Sequence, residues 1–334
     1  AGNGNYDDLI TEVDLTEKVI KLQPEIEQLI EDSTATLEAP MPKVLLGKQC
    51  TQPHECEFYR VCYPMEEEYP VPGLGGSKAN HADWINRGIK DLRKVPKTEL
   101  TEDRPVRVHR VTCTGEPEVI PGAKEKLEAF GYPRYHLDFE AISKAIPPWE
   151  GLDPYMHVPV QYSVHIDDGT GDGSVESMEH KEFLQLTSEA PMRNLAMQLI
   201  EDLGDTGPIF MYSNYEKRMI KALIKLHPDL KDRLEPMIGR LEDLKDIVHD
   251  HYYHPCMLGS WSIKDVLPAI APHLSYEKLN GIKNGAMAVD GYVEAIDPKT
   301  TPKRKAELEE ELLTYCRFDT EAMVEIARFL CQAK

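Results

Sequence analysis

The run Tyr135-His136-Leu137-Asp138-Phe139-Glu140 constrains the fold more than any other stretch of the chain. Apolar and polar residues alternate along it with period two, which is the pattern of a β-strand with two different faces. Tyr135, Leu137 and Phe139 form the apolar face and require a core. His136, Asp138 and Glu140 form the other, with the two carboxylates roughly 7 Å apart at the backbone. Like charges this close oppose each other unless a cation lies between them, and a divalent metal is the natural cation for carboxylate oxygens. An isolated Asp-x-Glu also suits a solvated strand face, so the reading depends on what the rest of the chain supplies.

The far end supplies a helix. Leu312, Leu313, Cys316, Met323, Ile326 and Leu330 recur at helical spacing. Tyr315 and Asp319 are four apart and therefore share a face. Between strand and helix, Phe210 to Lys217 reads as the end of a buried strand and the start of a helix, and its one acid is Glu216. Ser213 and Glu216 also fit a Ser-x-x-Glu capping box, which would occupy the same carboxylate. Asp243 and Asp246 are the fallback acids.

A strand Asp-x-Glu followed far downstream by a helical Tyr-x-x-x-Asp resembles the DEDD exonucleases of the tyrosine subclass. From about Tyr132 onward the chain also resembles the C-terminal half of an uncharacterised bacterial family of RecB-like predicted nucleases. The wording shared with that family is Leu137-Asp138-Phe139-Glu140, Pro159 to His165, Gly259-Ser260-Trp261-Ser262-Ile263-Lys264 and Tyr315 to Thr320. The resemblance implies an α/β, ribonuclease H-like (DnaQ-like exonuclease) domain with a mixed central sheet flanked by helices. It implies a two-metal site in which Asp138, Glu140, Glu216 and Asp319 hold Mg²⁺ or Mn²⁺. Tyr315 would orient the attacking water rather than take its proton, because an unperturbed phenol titrates at about pH 10. The expected activity is 3′-to-5′ hydrolysis of phosphodiester bonds at single-stranded ends. The alternative is a fold that has lost its chemistry and serves as a binding or scaffold module.

Composition bounds these expectations. With 38 Lys and Arg against 58 Asp and Glu, the net charge of the 334-residue chain is −20. That excludes a broad basic surface gripping duplex nucleic acid, whose affinity comes from neutralised phosphates, but it leaves room for an acidic metal site. Arg104, Arg107, His109 and Arg110 form one modest basic strip. No apolar run is long enough to span a bilayer, and Ala1 to Asn5 lead into acids rather than a signal sequence. The sequence is therefore expected to be cytoplasmic, and the missing initiator Met suggests a lost N-terminal part.

Three segments are expected. Residues 1–95 form a mainly helical region with a cysteine cluster, 96–130 a linker and lead-in helix, and 131–334 the ribonuclease H-like domain. In the first, Leu15 to Asp32 has an apolar stripe (Val19, Leu22, Ile26, Leu29 and Ile30), and Pro24 is placed to start a second helix. Ala82 to Arg93 reads as a helix. Later, strands are expected over 158–166, 176–183 and 208–212, and helices over 191–203 and 214–227. Of the seven cysteines, Cys50, Cys56 and Cys62 are clustered. They resemble the three cysteines that close RecB-like nuclease domains and, with one upstream cysteine, hold a four-iron, four-sulfur cluster. Zinc with His54 as fourth ligand is the rival, and free thiols the plain alternative. The acids of a RecB-like core are not found before Cys50, so a separate N-terminal nuclease part is an expected partner. Lys264 is a candidate phosphate contact, His136 and His165 are candidate substrate contacts, and Trp149, Tyr155 and Tyr162 are candidate base-stacking residues.

Overall fold

The structure, a computed structural model, describes residues 11–40, 43–63 and 65–332. They divide into two compact units, one ending at His109 and the other beginning at Arg110. The sequence-based reading of Ala1 to Asn5 lies outside the described residues.

In the first unit, α1 (Thr16–Glu38) continues through Pro24, so the proline costs a hydrogen bond without starting a second helix. Its apolar stripe is exposed, from Val19 at 48% to Ile30 at 60%, and no residue of the helix is buried. The stripe therefore does not face the core that its periodicity implies. After α2 (Tyr59–Cys62), α3 (Lys78–Asn86) is capped by the Ser77 side chain and is followed by Gly88 at φ +85, where a helix cannot continue. The expected helix to Arg93 thus stops early. A small core joins Leu46, Cys50, Tyr63 and Ala82. The stretch expected as linker carries α4 (Asp103–Thr114), in which Val108 and Val111 are buried.

The second unit is a mixed α/β fold with a five-stranded sheet flanked by helices. β1 (Glu118–Val119) leads through α5 (Ala123–Glu128) to the central strand β2 (Arg134–Ile142). Next come β3 (Val158–Asp167), β4 (Glu179–Leu184), α6 (Met192–Leu203), β5 (Ile209–Met211), α7 (Tyr215–Leu226) and α8 (Lys231–Ile238). Then follow β6 (Leu241–Asp243), α9 (Leu244–His251), β7 (Tyr252–Tyr253), α10 (Ile263–Ile270), α11 (Gly285–Ile296) and α12 (Pro302–Gln332). The sheet order is β4-β3-β2-β5-β6, and β1 pairs with β7 in a separate ribbon. β3 runs antiparallel to both its neighbours, β2 and β4, whereas β5 pairs parallel with β2 and β6 parallel with β5. The expected third strand begins only at Glu179, because Val175–Ser177 form a 3-10 turn.

Period two holds on β2. Tyr135, Leu137 and Phe139 pack into a core with Leu195 and Leu199 of α6 and Met219, Ile220 and Leu223 of α7. The opposite face is crossed by α12. In the β2–β3 register His136, Asp138 and Glu140 stand opposite His165, Ser163 and Gln161, so one face carries six polar residues under that helix. Its backbone and side chains satisfy several of them. Gln161 Nε2 donates to Leu312 O at 2.9 Å, and Thr320 Oγ1 meets both Ser163 Oγ and His165 Nδ1 at 2.9 Å. These bonds fix the helix lengthwise, and with it Tyr315 and Asp319. Among the described residues no helix is long and apolar enough to cross a membrane.

Candidate functional site

Three elements of the second unit deliver the four acids. Asp138 and Glu140 come from the last half of β2, just before a register shift between Glu140 and Ala141; such bulges re-aim side chains at strand ends. Asp319 comes from α12, and Glu216 from the first turn of α7. One carboxylate oxygen from each of Asp138, Glu140 and Asp319 lies within 4.8 Å of the other two. Asp138 and Glu140 are half-buried and Asp319 is buried. Glu216 is not a member of this tight group, yet its charge acts on both Asp138 and Glu140.

Each acid is harder to ionise than an ordinary carboxylate. Burial, then the charges of Asp319, Glu140 and Glu216, drive Asp138 well up, against a contact from the Cys316 thiol 3.7 Å from its Oδ2. Burial and Asp319 do the same to Glu140, with the Lys264 ammonium opposing. Asp319 is pushed up to about 6 by burial, and the Tyr276 hydroxyl, Lys264 and Tyr315 hold it back. Glu216 is pushed up to about 8 by burial; its own backbone N–H opposes, and the Asp243 and Asp319 charges add to the rise. A cluster of this kind lacks positive charge.

Glu216 does not serve a capping box. The N-cap of α7 is Asn214, with no capping side-chain bond, and Glu216 Oε2 is buried without a partner. Ser213 sits at φ +102, in the region that disfavours any side chain, and its N–H donates to Asp243 Oδ1 at 3.1 Å. A strained residue at the turn that delivers a buried acid is the kind of outlier that functional sites retain. The same Asp243 oxygen accepts from Lys245 N at 2.9 Å as the cap of α9. Asp243 thus ties the β5–α7 turn to α9, and Asp246 is exposed.

Tyr315 is buried, and its hydroxyl meets Lys264 Nζ at 3.4 Å rather than a backbone group. Lys264, in the first turn of α10, also lies 5.0 Å from the Tyr276 ring. Sequence reasoning missed Tyr276. Its hydroxyl donates to Asp319 Oδ1 at 2.5 Å, and its ring stands edge-on to Phe318. It lies in a 3-10 turn, Tyr276–Lys278, where no periodicity marks it. A charge-assisted bond to a prospective ligand fixes that carboxylate's orientation, and losing such partners costs metal sites roughly 10- to 100-fold in affinity. Tyr276→Phe, which keeps the ring against Phe318, is expected to weaken Mn²⁺ binding by about that factor in calorimetry. Unchanged affinity would remove Tyr276 from the site.

The other candidates fall elsewhere. His136 stacks on Phe210, and His165 bonds to Thr320; burial holds both rings down to about 3, so both are neutral. Trp149 donates to Ser188 O, and Tyr162 donates to Asp202 from within the core; both are packing residues, whereas Tyr155 is exposed. In the basic strip, His109 is buried against Val95 O, which breaks the strip as a surface. Cys50 is buried, with its carbonyl accepting from Cys56 N at 3.0 Å; Cys56 and Cys62 are exposed. Among the described residues the three sulfurs and His54 do not converge as the three acids do.

The model of a family described as a domain of unknown function, DUF2779, matches residues 135–262, less than half of the chain. The match begins at the first residue of the alternating strand and includes Asp138, Glu140 and Glu216, and it ends before Tyr315 and Asp319. No curated protein matches the chain, and no solved structure does.

Proposed function

We propose that the second unit is a ribonuclease H-like, metal-dependent phosphodiesterase of the DEDD tyrosine type, acting as a 3′-to-5′ exonuclease on single-stranded ends. The observation that carries the reading is the meeting of Asp138 and Glu140 from β2 with Asp319 from α12, within 4.8 Å. The sheet order, with β2 central between an antiparallel β3 and a parallel β5, supports the fold part of it. The donor set suits hard divalent cations, because it is all carboxylate, short of positive charge and includes an orphaned Glu216 Oε2. Two Mg²⁺ or Mn²⁺ ions bound there would supply activation of water at neutral pH and neutralise the leaving oxygen.

The protein groups have separable roles. Asp138, Glu140 and Asp319 fix the cations, and Glu216 adds a ligand from the α7 side. Tyr315, one helical turn before Asp319, aims its hydroxyl at the water to be activated. Burial keeps its phenol protonated at any working pH, so it orients rather than deprotonates. Lys264 is placed to meet a substrate phosphate. An iron–sulfur cluster, or zinc as the alternative, on Cys50, Cys56 and Cys62 would require these sulfurs to be drawn together from the positions they hold here.

The net charge of −20 favours a second reading, an inactive scaffold module attached to a separate RecB-like nuclease. Labelled single- and double-stranded DNA and RNA, incubated with Mg²⁺ or Mn²⁺, separate the two. Stepwise shortening from the 3′ end, absent in Asp138→Ala, is expected. Intact substrate in every arm would leave the scaffold reading.

A further inference from the structure

The face of β2 that carries Asp138 and Glu140 begins, four residues earlier, with Arg134. It lies ~13 Å from Asp138 along the strand. Arg134 is 8% exposed, its Nε donates to Gly131 O at 2.9 Å, and its guanidinium lies 4.0 Å over the Tyr132 ring. Its Nη2 is buried without a partner, and among the described residues Arg134 makes no ion pair. An arginine stays protonated, and buried charges are found paired, so this guanidinium lacks an anion.

Arg134 lines a cavity of about 300 Å³, at the lower end of the range for small-molecule sites. His136, whose Nδ1 is also buried and unpartnered, lines it too. The acids that border the cavity have other partners. Glu128 is 3.7 Å from Lys124, Asp167 accepts from Gly169 N at 2.9 Å, and Asp172 accepts from Ser174 N at 3.0 Å. Asp167 stands opposite Arg134 in the strand register, yet the two are not within ion-pair distance. Met178 and Ala327, both partly exposed, give the same cavity apolar surface.

We propose that this cavity binds a small organic anion, with its carboxylate or phosphate on Arg134 and a short apolar body against Met178 and Ala327. A guanidinium with an unpartnered Nη2 suits a charge-assisted hydrogen bond to either group. The site is independent of the nuclease reading.

The test uses the full chain in divalent-free buffer, with phenyl phosphate, benzoate and uncharged benzyl alcohol as probes. One or both anions are expected to bind once per chain and raise the melting temperature by about 3 °C at tenfold excess over Kd. Phenyl phosphate alone would identify a phosphate ester, and benzoate alone a carboxylate. Arg134→Met is expected to weaken binding at least tenfold, while Asp138→Asn leaves it unchanged. Cys331, which also lines the cavity, supplies a readout in the unmutated protein: bound anion should slow its alkylation, followed by peptide mass spectrometry, at least threefold. If Arg134→Met does not fold, Arg134→Lys, which keeps the charge and loses the guanidinium, takes its place. Failure of both anions to bind, equal binding of benzyl alcohol, or binding that leaves Cys331 unprotected would overturn the proposal.

Discussion

Asp138→Asn is expected to lower nuclease activity by about 1000-fold or more and at the same time to stabilise the metal-free protein. The two effects have one cause. Asp138 is driven up by burial and by three neighbouring carboxylates, so its charge opposes folding of the metal-free protein. Removing that charge relieves repulsion, and each unit of pKa shift corresponds to about 1.4 kcal/mol between the two protonation states. A gain of about 1 kcal/mol would raise the melting temperature by roughly 2–4 °C in a unit of this size. Asp138 would be one of the groups that hold the cations, and removing such a ligand would cost the reaction far more than removing a positioning contact. Lower stability together with full activity in Asp138→Asn would sink the reading of the cluster as a cation site.

The pH dependence carries the same sign. These carboxyls have folded values above their unfolded ones of about 4. Their contribution is therefore fully present below pH 4 and is lost as pH rises through the folded values, about 6 for Asp319 and about 8 for Glu216. The buried neutral His136 and His165 act in the opposite sense. Their depressed values remove stability as pH falls below about 6.5. In the clean window of about pH 6.5 to 8.5, Asp319 is already largely ionised, and the slope reports Glu216 with Asp138 and Glu140. There the melting temperature in EDTA should fall with rising pH, and Mn²⁺ should flatten the slope. A flat profile in EDTA would mean that the acids are not frustrated in the free protein.

What was legible in the sequence follows from which interactions are local. Period two in Tyr135–Glu140 reports a strand with two faces because alternation is a property of one backbone segment. Helical spacing from Leu312 to Leu330 reports α12 for the same reason. Neither says that α12 crosses the β2–β3 face; that is set by Gln161, Ser163 and His165 meeting Leu312 and Thr320. The α1 stripe has the periodicity of a packed helix and is exposed, since periodicity records a capacity to bury and not a partner. Ser213-x-x-Glu216 matches a capping box by spacing alone, and the positive φ at Ser213 shifts the cap to Asn214. Tyr276 was illegible because its role depends on a short turn arriving beside Asp319 from outside any periodic element.

Tyr315→Phe is expected to lower the single-turnover rate on the order of 10- to 1000-fold, the range for one positioned water-orienting group. Metal affinity and substrate affinity should change little. The hydroxyl stands where Lys264 Nζ approaches at 3.4 Å, beside Asp319 and away from the backbone. Phe retains the ring that packs against Tyr276 at 6.3 Å, so the packing around the carboxylates is preserved. The variant does lose one hydrogen bond, worth about 1 kcal/mol in stability, and a small drop in melting temperature is expected with the rate loss. The two losses are separable by magnitude. A merely structural hydroxyl would cost that stability and leave the rate untouched, whereas a water-orienting hydroxyl costs the rate far more than the fold. The Mn²⁺ isotherm distinguishes this variant from Tyr276→Phe. Tyr276 bonds directly to an Asp319 oxygen, so under the proposed reading its loss would act on the cation site itself, whereas loss of the Tyr315 hydroxyl would act mainly on the water beside it. Full activity in Tyr315→Phe with a lowered melting temperature would leave Tyr315 as a packing residue and require another group to orient the water.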